Sequence, residues 1–114
     1  MILHIVLFQF RAPWDWSAEQ VQKAEQVTRN HPTQIDEIQG WFCGRNMTLR
    51  DVAADFAVLG LFNNTDELQS YLLHPDHQQG VRLWQALADW QVVDINLSGE
   101  DCHSAGRLSL LQMV

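Results

Sequence analysis

Positive charge is scarce in this chain. Seven of its 114 residues are Lys or Arg against fourteen Asp or Glu, a formal net charge of −7. The cations are scattered singly, so a phosphate backbone or an anionic membrane surface meets net repulsion, which argues against nucleic acid and membrane partners. Cysteine is scarcer still. Cys43 and Cys102 form no CxxC motif and no disulfide framework, which points to free thiols in a reducing cytoplasm, with a single disulfide in an exported protein as the other arrangement. Long apolar runs are missing too. The opening MILHIVLFQF is interrupted by His4 and Gln9 well short of membrane-spanning length, and it has neither a basic leader nor a small-residue cleavage site, so it reads as a strand. Without repeats, low-complexity tracts or a Pro/Gly/Ser-rich linker, one continuous domain is expected.

What the chain does have is a core. Hydrophobic residues make up 46%, and five are tryptophans, large enough to dominate a small interior. Residues 1–10 read as a strand. Residues 17–30 read as a helix with Ala18, Val21, Ala24 and Val27 on one stripe, opened by a capping box of Ser17 and Gln20 and stopped at His31-Pro32. Strands follow at 37–45 and 55–63. Asn64 with Glu67 is a cap for a helix bearing Leu68, Tyr71 and Leu72, and Pro75 suits the first turn of another helix running to about Asp89. The last strand is 90–97.

The order strand, helix, strand, strand, helix, strand is that of an α+β, ferredoxin-like βαββαβ unit with an antiparallel sheet. Its first and third strands are apolar on both sides: Ile2, Val6, Phe8 and Phe10 oppose Leu3, Ile5 and Leu7, and Phe56, Val58 and Phe62 oppose Ala57, Leu59 and Leu61. Helices cover one face only. The other face needs a partner, and a second copy of the same face is the economical one, which predicts a homodimer.

Three segments, HIVLFQF, DFAVLGLFNNTDELQSYLLHPDHQ and WQVVDINL, are similar to the stress-responsive dimeric α/β-barrel (Dabb) family, collinearly over residues 1–97, with YxxHPxH the most specific part. The resemblance implies two protomers pairing sheet to sheet into a barrel, each with a pocket between sheet and helices. It also implies a link to a plant polyketide cyclase that closes a ring by aldol chemistry without metal or cofactor. Tyr71, His77 and His4 match positions of that cyclase's site. Phe56 stands where the cyclase has a further histidine, and the first helix carries Ala and Val where bulkier residues are usual. The first departure argues against carrying the cyclase activity over, and the second predicts a different pocket shape.

Helical spacing places His77 on the face of Val81, Trp84 and Ala88, pointing inward at a helix N-terminus, where both the dipole and an apolar surrounding favour a neutral imidazole. Tyr71 ends the preceding helix, so the His74-Pro75 junction is expected to bring its hydroxyl near His77. A neutral imidazole beside a hydroxyl suits proton abstraction next to a carbonyl. The same pair also reads as a lock, bonded to each other or to backbone. His74 reads as the cap of the helix that Pro75 opens. The HxxH spacing invites a metal, but no third ligand is identifiable and Asp76 is expected to face solvent, so neither metal nor cofactor is assigned. His4 reads as a core histidine, which the resemblance places at the pocket; the partner of Asp94 stays open.

Two function classes follow. One is a cofactor-free acid-base enzyme, cyclase-like or isomerase-like, on a small apolar or carbonyl-bearing molecule; the other is a non-catalytic structural or ligand-binding dimer. A cofactor-independent monooxygenase shares the architecture but has no specific support. Residues 98–114 extend past the resemblance, and Leu108, Leu110, Leu111, Met113 and Val114 are expected to pack on the partner or along a sheet edge.

Overall fold

A computed structural model describes residues 1–113, and Val114, part of the expected packing of the tail, lies outside the described residues. The elements are β1 (Ile2–Phe10), α1 (Glu19–Gln34), β2 (Gly40–Arg45), β3 (Phe56–Phe62), α2 (Thr65–Leu73), α3 (Pro75–Gln85) and β4 (Ala88–Asn96), followed by a 3-10 helix over Gly106–Met113. The strands form one antiparallel sheet in the order β2-β3-β1-β4. This is the ferredoxin-like arrangement expected from the sequence, with α1 crossing from β1 to β2 and α2 with α3 crossing from β3 to β4.

All three helices lie on one face. Beneath them, Val6, Phe8, Phe56 and Val58 pack with Val21 and Ala24 of α1 and Trp84 of α3 in the main core. A second cluster of Ile35, Phe62, Leu68 and Tyr71 fills the other end. Trp84 stacks on Phe8 with ring centroids 4.4 Å apart, and its indole N–H donates to the buried Thr28 hydroxyl at 2.8 Å, so α3 is fixed on both sheet and α1. Phe56 is buried against Phe8 and Trp84, so aromatic packing closes this part of the core. The opposite face lacks such a cover: Leu7 is 41%, Phe42 62% and Val93 51% exposed in the single chain. The doubly apolar strands are thus half-satisfied by the fold itself.

Several local expectations are corrected. The helix α1 does not stop at His31-Pro32 but continues through the proline to Gln34. A proline removes one hydrogen bond and crowds the preceding turn, a cost that tertiary contacts can offset near a helix end. Here His31 is 3% exposed, packed edge-on to Trp41 and bonded to Asp76, which holds that turn in place. The capping box is also absent. Ala18 is the N-cap residue, without a side-chain cap bond, because the Ser17 hydroxyl donates to Asp15 Oδ1 instead. The buried stripe of α1 is Val21, Ala24, Glu25, Thr28 and His31, with Val27 only partly covered. Glu25 is tolerated there because Arg45 of β2 and Arg29 both donate to its carboxylate, Arg45 at 2.7 and 2.8 Å, and this holds its carboxyl below the usual range.

Helix α3 ends at Gln85, not near Asp89, and β4 begins at Ala88. Arg11 explains the early stop. Its guanidinium donates to the carbonyls of Gln85 and Ala88 at 2.5 and 2.8 Å, while its backbone N–H donates to Leu87 O, so the end of β1 draws the chain back into the sheet. By contrast, the Asn64 cap is as expected, its Oδ1 accepting from the Glu67 N–H at 2.9 Å.

The two capping positions should therefore respond differently to mutation. Asn64→Ala is expected to lower unfolding free energy by about 1 kcal/mol. Ser17→Ala, which removes no cap, should stay within about 0.5 kcal/mol of wild type, as for an ordinary surface change. Urea unfolding monitored by tryptophan fluorescence checks both.

Candidate functional site

Between the sheet and the helices lies a cavity of about 110 Å³. Its walls come from every helix: Thr28 and His31 from α1, Tyr71 and Leu72 from α2, His77, Gly80 and Trp84 from α3. The sheet contributes His4, Val6 and Phe8 of β1 with Val58, Trp90 and Val92 beside them. Val92 is half exposed, so the cavity opens to solvent near the edge strand. No Lys, Arg, Asp or Glu side chain is part of this lining.

The α2-α3 junction sets the central pair. His74 ends one helix and caps the next, its Nδ1 accepting from the Asp76 N–H at 3.0 Å, as the sequence suggested. Pro75 at the first helical position costs nothing there. Across this break the Tyr71 and His77 rings pack with centroids 4.4 Å apart, tilted by 49°. His77 Nδ1 lies 3.0 Å from Leu72 O. A carbonyl only accepts, so Nδ1 carries the proton and Nε2 of the neutral ring keeps its lone pair. Burial, reinforced by the neighbouring His31 and His4, pulls the His77 pKa down to about 4. The imidazole is therefore a neutral acceptor at pH 7. Burial raises the Tyr71 pKa, so that its phenol stays protonated and remains a donor.

His4 is 3% exposed and faces Asp94 across the β1-β4 register, its Nδ1 donating to Oδ1 at 2.5 Å. This gives Asp94 a partner. The His4 ring packs edge-on to Tyr71, centroids 5.7 Å apart, so all three sequence candidates come together around one cavity.

Sequence reasoning missed one member. His31, read only as a helix stop, lines the same cavity, and its Nδ1 donates to Asp76 Oδ2 at 2.7 Å. Asp76 consequently does not face solvent as expected, and its side chain is 20% exposed. The signal was present as a histidine seven residues past Ala24 on the buried stripe, but the adjacent proline masked it. Gly80 makes the approach possible. A Cβ there would sit 3.0 Å from His31 Nε2, closer than real contacts allow without the ring giving way.

Other features of the sequence stay outside the site. His74 and His77 have separate Nδ1 partners, and among the described residues no three metal-capable side chains converge. Both cysteines are free, and burial pushes the Cys43 thiol up to about 11, which leaves it unreactive at neutral pH. Among the described residues no helix is long and apolar enough to cross a membrane.

An antiparallel ferredoxin-like sheet with an open apolar face and a His- and Tyr-lined pocket under its helices places the chain among ferredoxin-like α+β proteins. Within that class, residues 2–97 match the stress responsive A/B barrel domain (Dabb), and the chain belongs to this family. An uncharacterized protein of Streptomyces coelicolor is 35% identical over 94 residues, spanning 82% of this chain and 97% of that protein. A dimeric ferredoxin-like protein of unknown function from Thermobifida fusca superposes with a TM-score of 0.73 at 25% identity, covering 82% of this chain and 88% of the other. The hydroxynitrile lyase of Passiflora edulis shares the fold, with a TM-score of 0.71 at 13% identity over 82% and 90% of the two chains.

The low His77 pKa has a consequence for stability. In the unfolded chain a histidine titrates near 6.5, so the unfolded state binds the extra proton first, and stability falls as pH drops from about 6.5 to about 4. His31, lowered by burial against the opposing pull of Asp76, acts in the same direction. Thermal unfolding across this window should show a steeper loss for wild type than for His77→Gln. Equal slopes would mean that His77 is not held neutral.

Proposed function

We propose that this protein is a cofactor-free acid-base dimer acting on a small, uncharged, carbonyl-bearing molecule. In this reading Tyr71 donates to the carbonyl oxygen, His77 Nε2 takes a proton from the adjacent carbon, and His4, held by Asp94, supports Tyr71 from the sheet. The single observation that carries the reading is a protonated phenol and a neutral imidazole packed together on one cavity whose lining holds no charged Lys, Arg, Asp or Glu side chain. A phosphate or carboxylate substrate would find no Lys or Arg there, whereas a neutral one is desolvated at little cost. Developing charge on the oxygen meets a donor in an apolar surrounding, where such a bond counts most. Ring closure of the kind performed by the family's plant cyclase is one reaction this chemistry serves; the likeness to a hydroxynitrile lyase is one of fold. The free thiols of Cys43 and Cys102 support a reducing, cytoplasmic setting for it.

One observation favours a second reading. His77 Nδ1 and Gln78 Nε2 both donate to the Leu72 carbonyl, so the junction is locked by the same residues that form the pocket, as a purely ligand-binding or structural dimer requires. Deuterium exchange at the carbons beside the carbonyl of cyclohexanone, followed by NMR in D2O, separates the two. The acid-base reading expects catalysed exchange that Tyr71→Phe and His77→Ala each lower by about a hundredfold to ten-thousandfold. His74→Ala should cost stability by about 1 kcal/mol while preserving the rate, since it removes a cap. If wild type exchanges no faster than buffer while His77→Ala loses about 1 to 3 kcal/mol of stability, the locking reading holds instead.

Self-association is the other half of the proposal. It is supported by the uncovered Leu7, Phe42 and Val93 and by the dimeric state of the Thermobifida fusca protein. The tail, with Leu108, Leu110 and Met113 exposed and Gln112 Nε2 donating to Leu97 O at 3.1 Å, is placed by this reading beside β4, where it packs on the partner. Sedimentation at micromolar concentration should give about twice the chain mass of 13.1 kDa. Phe42→Glu with Val93→Glu should dissociate or unfold it, and a stable wild-type monomer would remove the dimer from the proposal.

A further inference from the structure

We propose that His31, positioned by Asp76, is the proton donor that completes this site, so that His77 removes a proton from a substrate and the His31 imidazolium delivers one at a second position. The reaction class is then isomerisation or epimerisation of an uncharged carbonyl compound. This rests on the acid-base reading above and adds to it a second proton-transferring residue and a direction of transfer.

Three observations point to it. First, His31 comes from α1 and His77 from α3, and the two rings line one cavity with centroids 5.9 Å apart, each packed near Tyr71 of α2. Second, the groups behind the two rings differ. His77 Nδ1 meets a neutral carbonyl, whereas His31 Nδ1 meets the carboxylate of Asp76 at 2.7 Å. A carboxylate in that position stabilises the imidazolium and holds the ring in one orientation, while a carbonyl stabilises it far less. Third, the ring edge away from Asp76 reaches the cavity wall only because position 80 is a glycine: a Cβ there would lie 3.0 Å from His31 Nε2 and 3.2 Å from Cε1, and Gly80 lines the same cavity.

The proton inventory balances. His77 Nε2 takes the proton from the carbon next to the carbonyl, the C–H electron pair becomes a C=C bond, and the carbonyl pair moves onto oxygen, which Tyr71 hydrogen-bonds. The enolate then re-forms its carbonyl by taking the proton on His31 Nε2 at carbon. His31 is left neutral and His77 protonated, and exchange with water restores both. The groups facing His31 are Asp76 and His77 of α3, His74 at the N-cap of that helix and Tyr71 of α2. Asp76 favours its charged form; burial and His74 oppose it. The working state, neutral His77 with protonated His31, needs a pH above the His77 pKa of about 4, and because burial holds His31 below the ordinary histidine value of about 6.5, its alkaline limit lies under that value.

The test uses the full-length protein and (R)-2-methylcyclohexanone in D2O, with deuterium read by mass spectrometry and configuration by chiral chromatography. Wild type is expected to form the deuterated (S) ketone, with a rate maximum between about pH 4 and 6.5. His31→Gln should lower inversion by about a hundredfold while exchange with retention continues through His77 alone. Asp76→Asn, which keeps the shape and removes the charge, should move the alkaline limb of the profile to lower pH, and it serves as the decisive variant if His31→Gln does not fold. Exchange by wild type with complete retention, or an unchanged ratio of inversion to exchange in His31→Gln, overturns the donor and leaves Tyr71 and His77 in place. Neither exchange nor inversion by wild type overturns both.

Discussion

The break between α2 and α3 is the constraint on which the site depends. One residue, His74, ends the first helix and caps the second, and Pro75 cannot continue the hydrogen-bond ladder of the helix before it. The orphan carbonyl of Leu72 at the end of α2 is then satisfied by His77 and Gln78 from the next helix. That exchange fixes the His77 tautomer and sets its ring against Tyr71. A continuous helix over the same residues would carry Tyr71 and His77 six positions apart, about 120° from each other round the axis and so not on one face.

The electrostatics of the pocket follow from who sits behind each imidazole. Asp94 lies behind His4, Asp76 behind His31 and a backbone carbonyl behind His77, while the cavity surface itself is mostly aromatic and aliphatic. Carboxylates are therefore kept out of the lining but in contact with it through the rings. Such an arrangement suits the proton chemistry proposed above. The Glu25, Arg29 and Arg45 cluster, on the flank of α1, ties that helix to β2 and keeps its charges away from the cavity.

The sheet imposes the other constraint. Three helices cover one side, and the apolar residues of the opposite side, Leu7, Phe42 and Val93 among them, are left uncovered in the single chain. A site under the helices and an association surface on the far side can vary independently, since they share only the strands between them. At Phe56 an aromatic stack with Phe8 and Trp84 closes the helix side of the sheet.

Much of this was legible in the linear chain because it rests on local periodicity. The two-residue alternation of β1 and β3 specified strands and exposed the problem of the second face, and Asn64 and His74 were recognisable caps. The segment YLLHPDHQQG also announced Tyr71 and His77 as neighbours across a junction. What the chain could not announce was pairing between distant elements. His31 looked like a helix terminator because the proline rule is local, whereas its role comes from Asp76, forty-five positions away. Asp94 found His4 only through the β1-β4 register, and the early end of α3 was set by Arg11 reaching over from β1. Local sequence determined the elements and one half of the site; the tertiary structure decided which buried histidine met which carboxylate, because long-range register and close helix approach at Gly80 are properties of packing and not of spacing.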